Sequence, residues 1–271
     1  MTRLSVYCAG SLSALVGEIL ASDASIELAL TPGPAGLLAE RIRAGDRPDL
    51  FPSASFALLE KLAAEGFGTN PRPWVRNSLA LLLPRDGKAH ERFRRLFNET
   101  AGGAGTERKT LAKTHPQRDR KSGEKPIPSW VRLLADEGLR IGTSTPGRDP
   151  GGDYAQVLIA STVKFGPDIP DRIRSNTRAL VGGHIPGDRP RTPTMTEFLK
   201  SGEADLFLCY RTTALRADPK DCVVVDIPEG DNILVRTGLL ALTSAGERVL
   251  DAFYTPRTRA LAGKYGFVPP E

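Results

Sequence analysis

The chain has 271 residues, 40% of them hydrophobic and 25% charged, with 37 Lys or Arg against 32 Asp or Glu and a formal net charge of +5. That length leaves room for two cores, and the balance excludes collagen-like, low-complexity and disulfide-scaffold chains. No apolar run in the sequence approaches the roughly 18 residues of a membrane-spanning helix, so a soluble protein is expected.

In chain order, the strand-like stretch Leu4-Ser5-Val6-Tyr7-Cys8 leads through Ala9-Gly10-Ser11-Leu12 into a helical pattern, Leu12, Leu15, Val16, Ile19 and Leu20, spaced i, i+3, i+4. Ser11 is predicted as its N-cap. A hydroxyl and unpaired backbone N–H groups at the positive end of a helix dipole form a site for an oxyanion. The same junction on its own does no more than hold a helix end in many α/β proteins. A second one follows at Thr31-Pro32-Gly33-Pro34-Ala35-Gly36, before the pattern Leu37, Leu38, Ile42 and a C-terminal Gly45.

Ser78 to Pro84 is a short apolar run ended by proline, predicted to cross from a first lobe to a second. Residues 88–128 then carry 11 Lys or Arg against 5 acids, a net of +6, so the remainder of the chain is close to neutral. Its Gly-rich run and three prolines predict a basic, loop-like insertion with a short helix around Glu91 to Phe97. A solvated loop, contact with an acidic partner, and steering of an anion are all open to it.

Further on, Leu139 to Gly142 reads as a strand, and Asp149-Pro150-Gly151-Gly152-Asp153-Tyr154-Ala155 opens a helical pattern with Val157, Leu158 and Ile159. Ser201 to Tyr210 reads as a helix end running into a buried strand that delivers a tyrosine at its C-terminal edge. Cys222 to Pro228 marks the return of the chain, and Val249, Leu250, Phe253 and Leu261 pack back on the first lobe. Strands separated by helices predict a mainly parallel sheet in each lobe, and no repeat of fixed period is present. Three helix starts and one strand-end tyrosine are the parts of one anion pocket, because ligands of open α/β sheets sit at the carboxyl ends of strands.

These residues resemble the type 2 periplasmic binding proteins, and within them the molybdate-binding component of ABC importers. The resemblance is carried by the Ala9 to Leu12 loop, by Ala39 to Ala54 (AERIRAGDRPDLFPSA), by Ser201 to Tyr210 and by the tail Lys264-Tyr265-Gly266-Phe267-Val268-Pro269-Pro270. It covers most of the chain outside residues 88–128. It implies two α/β lobes joined by hinge strands, residues 1–84 and 213–271 forming the first and 85–212 the second, with hinges near Pro84 and Thr212. It further implies that Ser11, Ala35, Gly36, Gly152, Asp153 and Tyr210 contact a tetrahedral oxyanion, molybdate or tungstate, with Gly10 beside them. The partners implied are the permease and ATPase subunits of an importer. A monomer is expected.

Two departures from the family pattern bear on the ligand. The second loop reads Gly33-Pro34-Ala35-Gly36 where the family has serine, which removes a hydroxyl, and proline removes an N–H. Asp153 stands where many molybdate binders have glycine. Its carboxylate either coordinates the metal centre or acts on the helix dipole. The alternative ligand is another anion, an organic carboxylate or phosphate, with Arg148 and Arg211 turned inward to fork it; solvent-facing charges are the plainer reading of both.

Other classes fit less well. Cys8, Cys209 and Cys222 lack C-x-x-C spacing and read as small buried hydrophobes, and no metal site other than the oxyanion itself and no cofactor is expected. His90, His115 and His184 have no matched nucleophile, and Gly142-Thr143-Ser144-Thr145-Pro146-Gly147 lacks the lysine of a phosphate loop, which argues against an enzyme. Nucleic acid is disfavoured because no aromatic residue lies between Gly102 and Pro128. No export signal precedes the first strand at Met1-Thr2-Arg3, so the periplasmic location implied by the family stands beside a cytoplasmic one.

Overall fold

The structure is a computed structural model that describes residues 2–101, 127–183 and 193–268, apart from the side chains of 98–101. Most of the basic insertion, with His115, and also His184, Pro269 and Pro270, lie outside the described residues.

The first lobe starts as the alternation predicts: β1 (Thr2–Ala9), α1 (Ser13–Ala21), β2 (Ile26–Gly33), α2 (Ala35–Arg43), β3 (Leu50–Ser53) and α3 (Phe56–Ala64). β1 pairs in parallel with β2 and β3, since helical crossovers return each strand in the same direction. The stripe Leu15, Val16, Ile19 and Leu20 of α1 is buried against the sheet. Helix α2 stops because Gly45 takes a positive φ of 121°. There the Gly45 N–H bonds Ile42 O at 3.1 Å and the Asp46 N–H bonds Arg41 O at 3.0 Å, which closes the helix end.

β4 (Arg72–Asn77) and β5 (Leu79–Pro84) are consecutive but belong to different sheets. The second lobe then contains α4 (Lys88–Ala101), α5 (Ser129–Leu134), β6 (Ile141–Ser144), α6 (Pro150–Ser161), α7 (Ile169–Asn176), β7 (Thr177–Val181), α8 (Met195–Ser201), β8 (Leu206–Tyr210), α9 (Arg211–Ala214) and β9 (Cys222–Asp226). β10 (Val235–Ala241), α10 (Ser244–Val249) and α11 (Pro256–Lys264) complete the first lobe. There Phe253 packs edge-on against Trp74 at 5.1 Å, and its carbonyl accepts the indole N–H at 2.9 Å.

The sheets have matching orders, β2-β1-β3-β10-β4 and β7-β6-β8-β5-β9. Both are mixed. One strand in each runs against the other four: β10 in the first, β5 in the second. Each is the strand that enters its sheet from the opposite lobe, which is why a wholly helix-connected, parallel plan stops there.

The crossings correct the predicted hinges. The first lies at Ser78, between β4 and β5, not at Pro84, which is paired with Cys222 at the far end of β5. The second lies between Asp226 and Val235. β9 pairs along β5 from Ala80 to Pro84, so residues 213–226 stay with the second lobe and the return comes after them. Without β9 the apolar edge of β5 would lie open. Side chains clip the crossings together: Asn232 donates to Leu79 O at 2.8 Å and accepts the Leu79 N–H at 3.1 Å, while Asn77 donates to Thr212 Oγ1 at 2.8 Å.

The basic insertion also needs correction at its start. Fourteen residues, Lys88–Ala101, form α4. Ala89, Phe93 and Leu96 make an apolar stripe that packs on the core, and amphipathic burial outweighs the charge density that suggested a loop. Val157 is corrected too: it is 53% exposed, and α6 buries Leu158 and Ile159 instead. The three cysteines are free and buried, as expected, and burial pushes the Cys209 thiol up to about 12. Among the described residues no helix is long and apolar enough to cross a membrane.

Candidate functional site

The carboxyl ends of β1 and β2 lie side by side, with Ala9 registered on Gly33, so the two loops that follow them are neighbours. Gly10 donates its N–H to Gly33 O at 3.0 Å and is occupied there. Ser11 is not the N-cap: that position belongs to Leu12, without a side-chain cap bond. The chain makes a turn through residues 10–12, closed by Leu12 N–H to Ala9 O at 2.8 Å, which moves the helix start one residue on. The Ser11 hydroxyl thus remains available at the mouth of α1.

Helix α2 starts at Ala35 with Pro34 as N-cap, and Pro34 has no side chain able to cap. The first N–H of the helix to find a carbonyl is that of Leu38, to Pro34 O at 3.0 Å. Those of Ala35, Gly36 and Leu37 have no intrahelical acceptor. A Cβ on Gly36 would lie 2.6 Å from Arg148 O and 3.1 Å from Gly147 O, so the start of α2 meets the second lobe here with no room for a side chain.

On the second lobe, α6 begins at the end of β6 and packs on the end of β8. Gly152 lies so close to the β6 exit that a Cβ would be 2.5 Å from Ser144 O. Its N–H bonds Asp149 O at 2.8 Å. Gly152 is therefore a close-packing glycine with its donor already used. The N-cap is Asp149, whose carboxylate accepts the Gly151 N–H at 3.1 Å, and Pro150 occupies the first turn, where its missing N–H costs nothing. Asp153 is exposed, and its carboxylate accepts the Gly147 N–H at 2.7 Å, so it fastens the turn that touches Gly36.

Tyr210 ends β8 as predicted. It is 6% exposed, and its hydroxyl is buried without a hydrogen-bond partner. Its ring lies near Gly151 and 6.4 Å from the ring of Tyr154. Burial, and next to it the Asp149 carboxylate, hold the Tyr210 phenol well above its ordinary value. Desolvation likewise raises the Asp149 carboxyl, opposed by the Gly151 N–H and the Ser144 hydroxyl. Tyr154 is raised by burial as well, although the Ser55 hydroxyl and the Arg236 charge, both from the first lobe, work against this. The lobes therefore meet at Gly36 with Arg148 and at Ser55 with Tyr154.

The two arginines do not turn into this space. Arg148 is exposed and donates to Gly183 O at 2.9 Å. Arg211 is paired with Asp226 at 2.7 Å and lines a separate hinge cavity of about 540 Å³ together with Asn77, Asp226 and Asn232. Opposite charge at contact distance outweighs any pull from the cleft.

Asp149, Ser144, Tyr154 and Ser55 were missed as site residues. Asp149-Pro150 carries an N-cap and N1 signature that marks the helix start, and Ser144 sits in the run read above for a phosphate loop. Nothing local marks Tyr154 or Ser55, which meet only across the lobes. Among the described residues no group of three or more His, Cys, Asp or Glu side chains could hold a metal ion.

Comparison with known proteins agrees with this architecture. The chain is 27% identical over 253 residues to the uncharacterized protein PM1146 of Pasteurella multocida (strain Pm70), covering 91% of this chain and 90% of that one. It superposes with a TM-score of 0.65 on the periplasmic molybdate-binding protein of Azotobacter vinelandii, at 16% identity and 99% and 100% coverage of the two chains. With the periplasmic binding protein AfuA of Actinobacillus pleuropneumoniae, solved with fructose-6-phosphate bound, the TM-score is 0.61 at 11% identity, covering 98% of this chain and 83% of that one. At such identities the superpositions establish the two-lobed type 2 binding-protein fold. The family model of the bacterial extracellular solute-binding proteins matches residues 4–268. Mixed sheets in two lobes, helix starts converging between them and a match along nearly the whole chain agree: the chain belongs to the bacterial extracellular solute-binding protein family.

Proposed function

We propose that this protein captures a tetrahedral oxyanion, molybdate or tungstate, between its lobes and delivers it outside the cytoplasm to the permease and ATPase of an ABC importer. The observation that carries this reading is the Tyr210 hydroxyl, buried and unpartnered at the end of β8. An orphaned buried donor costs free energy unless a ligand accepts from it. In this reading the first lobe supplies the N–H groups at the start of α2 and the Ser11 hydroxyl to the same ligand. Each hydrogen bond to a charged acceptor contributes about 1.5–3 kcal/mol, so a handful supports micromolar or tighter binding after ordering costs. No residue in this scheme forms a covalent bond to the ligand.

A second reading has its own observation. Asp149 places a carboxylate beside Tyr210 and Ser144, and a bare dianion is repelled by it. A ligand that brings a hydroxyl or a bound proton, such as an organic phosphate or hydroxy acid, would instead donate to its free lone pairs.

Calorimetry and thermal melting with molybdate, tungstate, sulfate, phosphate, a sugar phosphate and a hydroxy acid separate the two. At 100 times its dissociation constant a ligand stabilises the folded form by about 2.7 kcal/mol, several degrees for a chain of this length. Molybdate and tungstate are expected to raise the transition most. If only the organic anions do so, the metal-oxyanion assignment is wrong and the second reading stands.

A further inference from the structure

We propose that capture of a dianion between the lobes is coupled to the uptake of one proton by Asp149, which turns a repelling carboxylate into a hydrogen-bond donor beside Tyr210. The inference rests on the oxyanion reading above and removes the conflict within it. As a carboxylate, Asp149 only accepts hydrogen bonds; as a carboxylic acid it also donates one. The step is a plain protonation: an O–H bond forms on one carboxylate oxygen, the proton comes from water, and the site then carries one negative charge fewer.

Asp149 stands where the ends of three strands converge. Gly182, which follows β7 with a φ of 73°, comes so near that a Cβ there would lie 2.6 Å from Asp149 Oδ2. Ser144, the last residue of β6, bonds the carboxylate through its hydroxyl. Toward the end of β8, a Cβ on Gly151 would lie 3.2 Å from Tyr210 Cε2 and 3.6 Å from Asp149 Oδ1, so the phenol ring and the carboxylate flank one glycine. The first lobe is equally near. A Cβ on Gly36, in the first turn of α2, would lie 2.6 Å from the carbonyl oxygen of Arg148, whose peptide leads into Asp149. In the oxyanion reading, an anion held by the Tyr210 hydroxyl and the N–H groups of α2 therefore rests close to this carboxylate.

The charges around Asp149 push the same way. On its own helix, Asp153 adds a negative charge and Tyr154 a neutral phenol; β8 adds Tyr210, β6 the Ser144 hydroxyl, and the chain after β7 only Gly182 and Gly183. The start of α2, Ala35 to Leu38, has no ionisable side chain. Arg148 is exposed and turned to Gly183 O, and the Arg236 charge from the first lobe acts on Tyr154. The Gly151 N–H and the Ser144 hydroxyl favour the ionised form of Asp149, but burial outweighs them and already holds its carboxyl above the ordinary range. A dianion brings further like charge, which favours the protonated form. Asp153 is a poorer acceptor for this proton, since it is exposed and water screens it. Tyr210 keeps its own proton, because burial raises the phenol, so both groups then donate to the ligand.

Calorimetric titration of the full chain with molybdate, in pairs of buffers of different ionisation enthalpy, counts the protons that accompany binding. Molybdate itself stays a dianion at neutral and alkaline pH, so any proton taken up goes to the protein. The expected result is uptake approaching one proton per anion, with affinity falling by up to about tenfold for each unit of rising pH above neutrality. In Asp149→Asn the uptake should vanish and the affinity become flat with pH, and at the alkaline end the variant should bind more tightly than the parent. If that variant does not fold, Asp149→Ser retains a helix cap without a titrating group and carries the same expectation. Molybdate binding without proton uptake overturns the proposal and leaves the oxyanion reading standing. Uptake that persists in both variants overturns it as well, since another group then takes the proton. If molybdate does not bind, the oxyanion reading falls and the proposal with it; a hydroxy acid that binds in its place, donating its hydroxyl to the carboxylate, should do so without proton uptake.

Discussion

The two lobes present the same element to the space between them, a helix start at the carboxyl end of a parallel strand, but in opposite states. In the first lobe α1 and α2 begin on Leu12 and Pro34, neither of which caps through a side chain. In the second, α6 begins on Asp149, whose carboxylate already takes the Gly151 N–H, while Gly152 is bound to the Asp149 carbonyl. Matching strand orders do not produce matching donors. The first lobe offers backbone N–H groups, and the second offers hydroxyls, foremost that of Tyr210. The second lobe brings its own negative charge to the place where an anion would rest on a bare helix end.

The largest effect expected from breaking this contrast comes from Gly36→Ala. A Cβ there lies 2.6 Å from the Arg148 carbonyl oxygen and forces the lobes apart where α2 meets the second lobe. Affinity for the cognate anion should fall about a hundredfold, equivalent to roughly one or two charge-assisted hydrogen bonds. Stability of the free protein should hold or rise by up to ~1 kcal/mol, since alanine is the better helix former. Paired titration and melting curves check both. Unchanged affinity would break the claim that the start of α2 faces the second lobe when ligand is bound.

Next in size, Tyr210→Phe removes the one hydroxyl that is buried without a partner among the described residues. Binding should weaken about ten- to a hundredfold. The ligand-free protein should melt no lower than the parent, because an unsatisfied buried group is lost with the hydroxyl. A variant that binds as well as the parent would place the site elsewhere.

Asp149→Asn sharpens the comparison by removing charge while keeping most of the cap. The Asp149 carboxyl is raised by burial, so the folded state binds its proton more tightly than the unfolded chain does. Stability from this group is therefore greatest below the ordinary carboxylate range and is lost as pH rises through the raised folded value. The substitution should flatten that part of the melting-temperature profile. In calorimetry the variant should bind molybdate several-fold more tightly if the carboxylate repels a dianion, and a hydroxyl-bearing ligand less tightly if the carboxylate accepts from it.

Ser11→Ala should have the smallest effect. Ser11 caps nothing, so stability should change by less than about 0.5 kcal/mol. Affinity should fall by a few-fold to tenfold through one hydroxyl at the edge of the site. A loss of about 1 kcal/mol in stability, read from denaturant melts, would restore it as a helix cap.

Much of the site was legible because it rests on local rules. The strand-to-helix junction after β1, the glycine stop of α2 at Gly45 and the buried strand that ends in Tyr210 are written in spacing, glycine and apolar runs. Asp149 was visible as a helix start but passed over, since a cap and an anion contact look alike in one dimension. The fate of each donor was hidden: Gly10, Gly152 and Arg211 have the right residue types in the right segments, yet Gly33 O, Asp149 O and the Asp226 carboxylate already hold them.

The sequence by itself determined two α/β lobes, the order of most strands and helices along the chain, and the convergence of helix starts at strand ends, because periodicity and turn chemistry act over a few residues. Tertiary structure decided the rest. Residues 213–226 joined the second lobe because β5 needed a partner on its open edge, the charged stretch after Gly87 became α4 because Ala89, Phe93 and Leu96 could be buried, and Gly36 met Arg148 because the lobes close there. Each of these depends on groups far apart in the chain, and the free energy that selects them exists only once those groups are in contact.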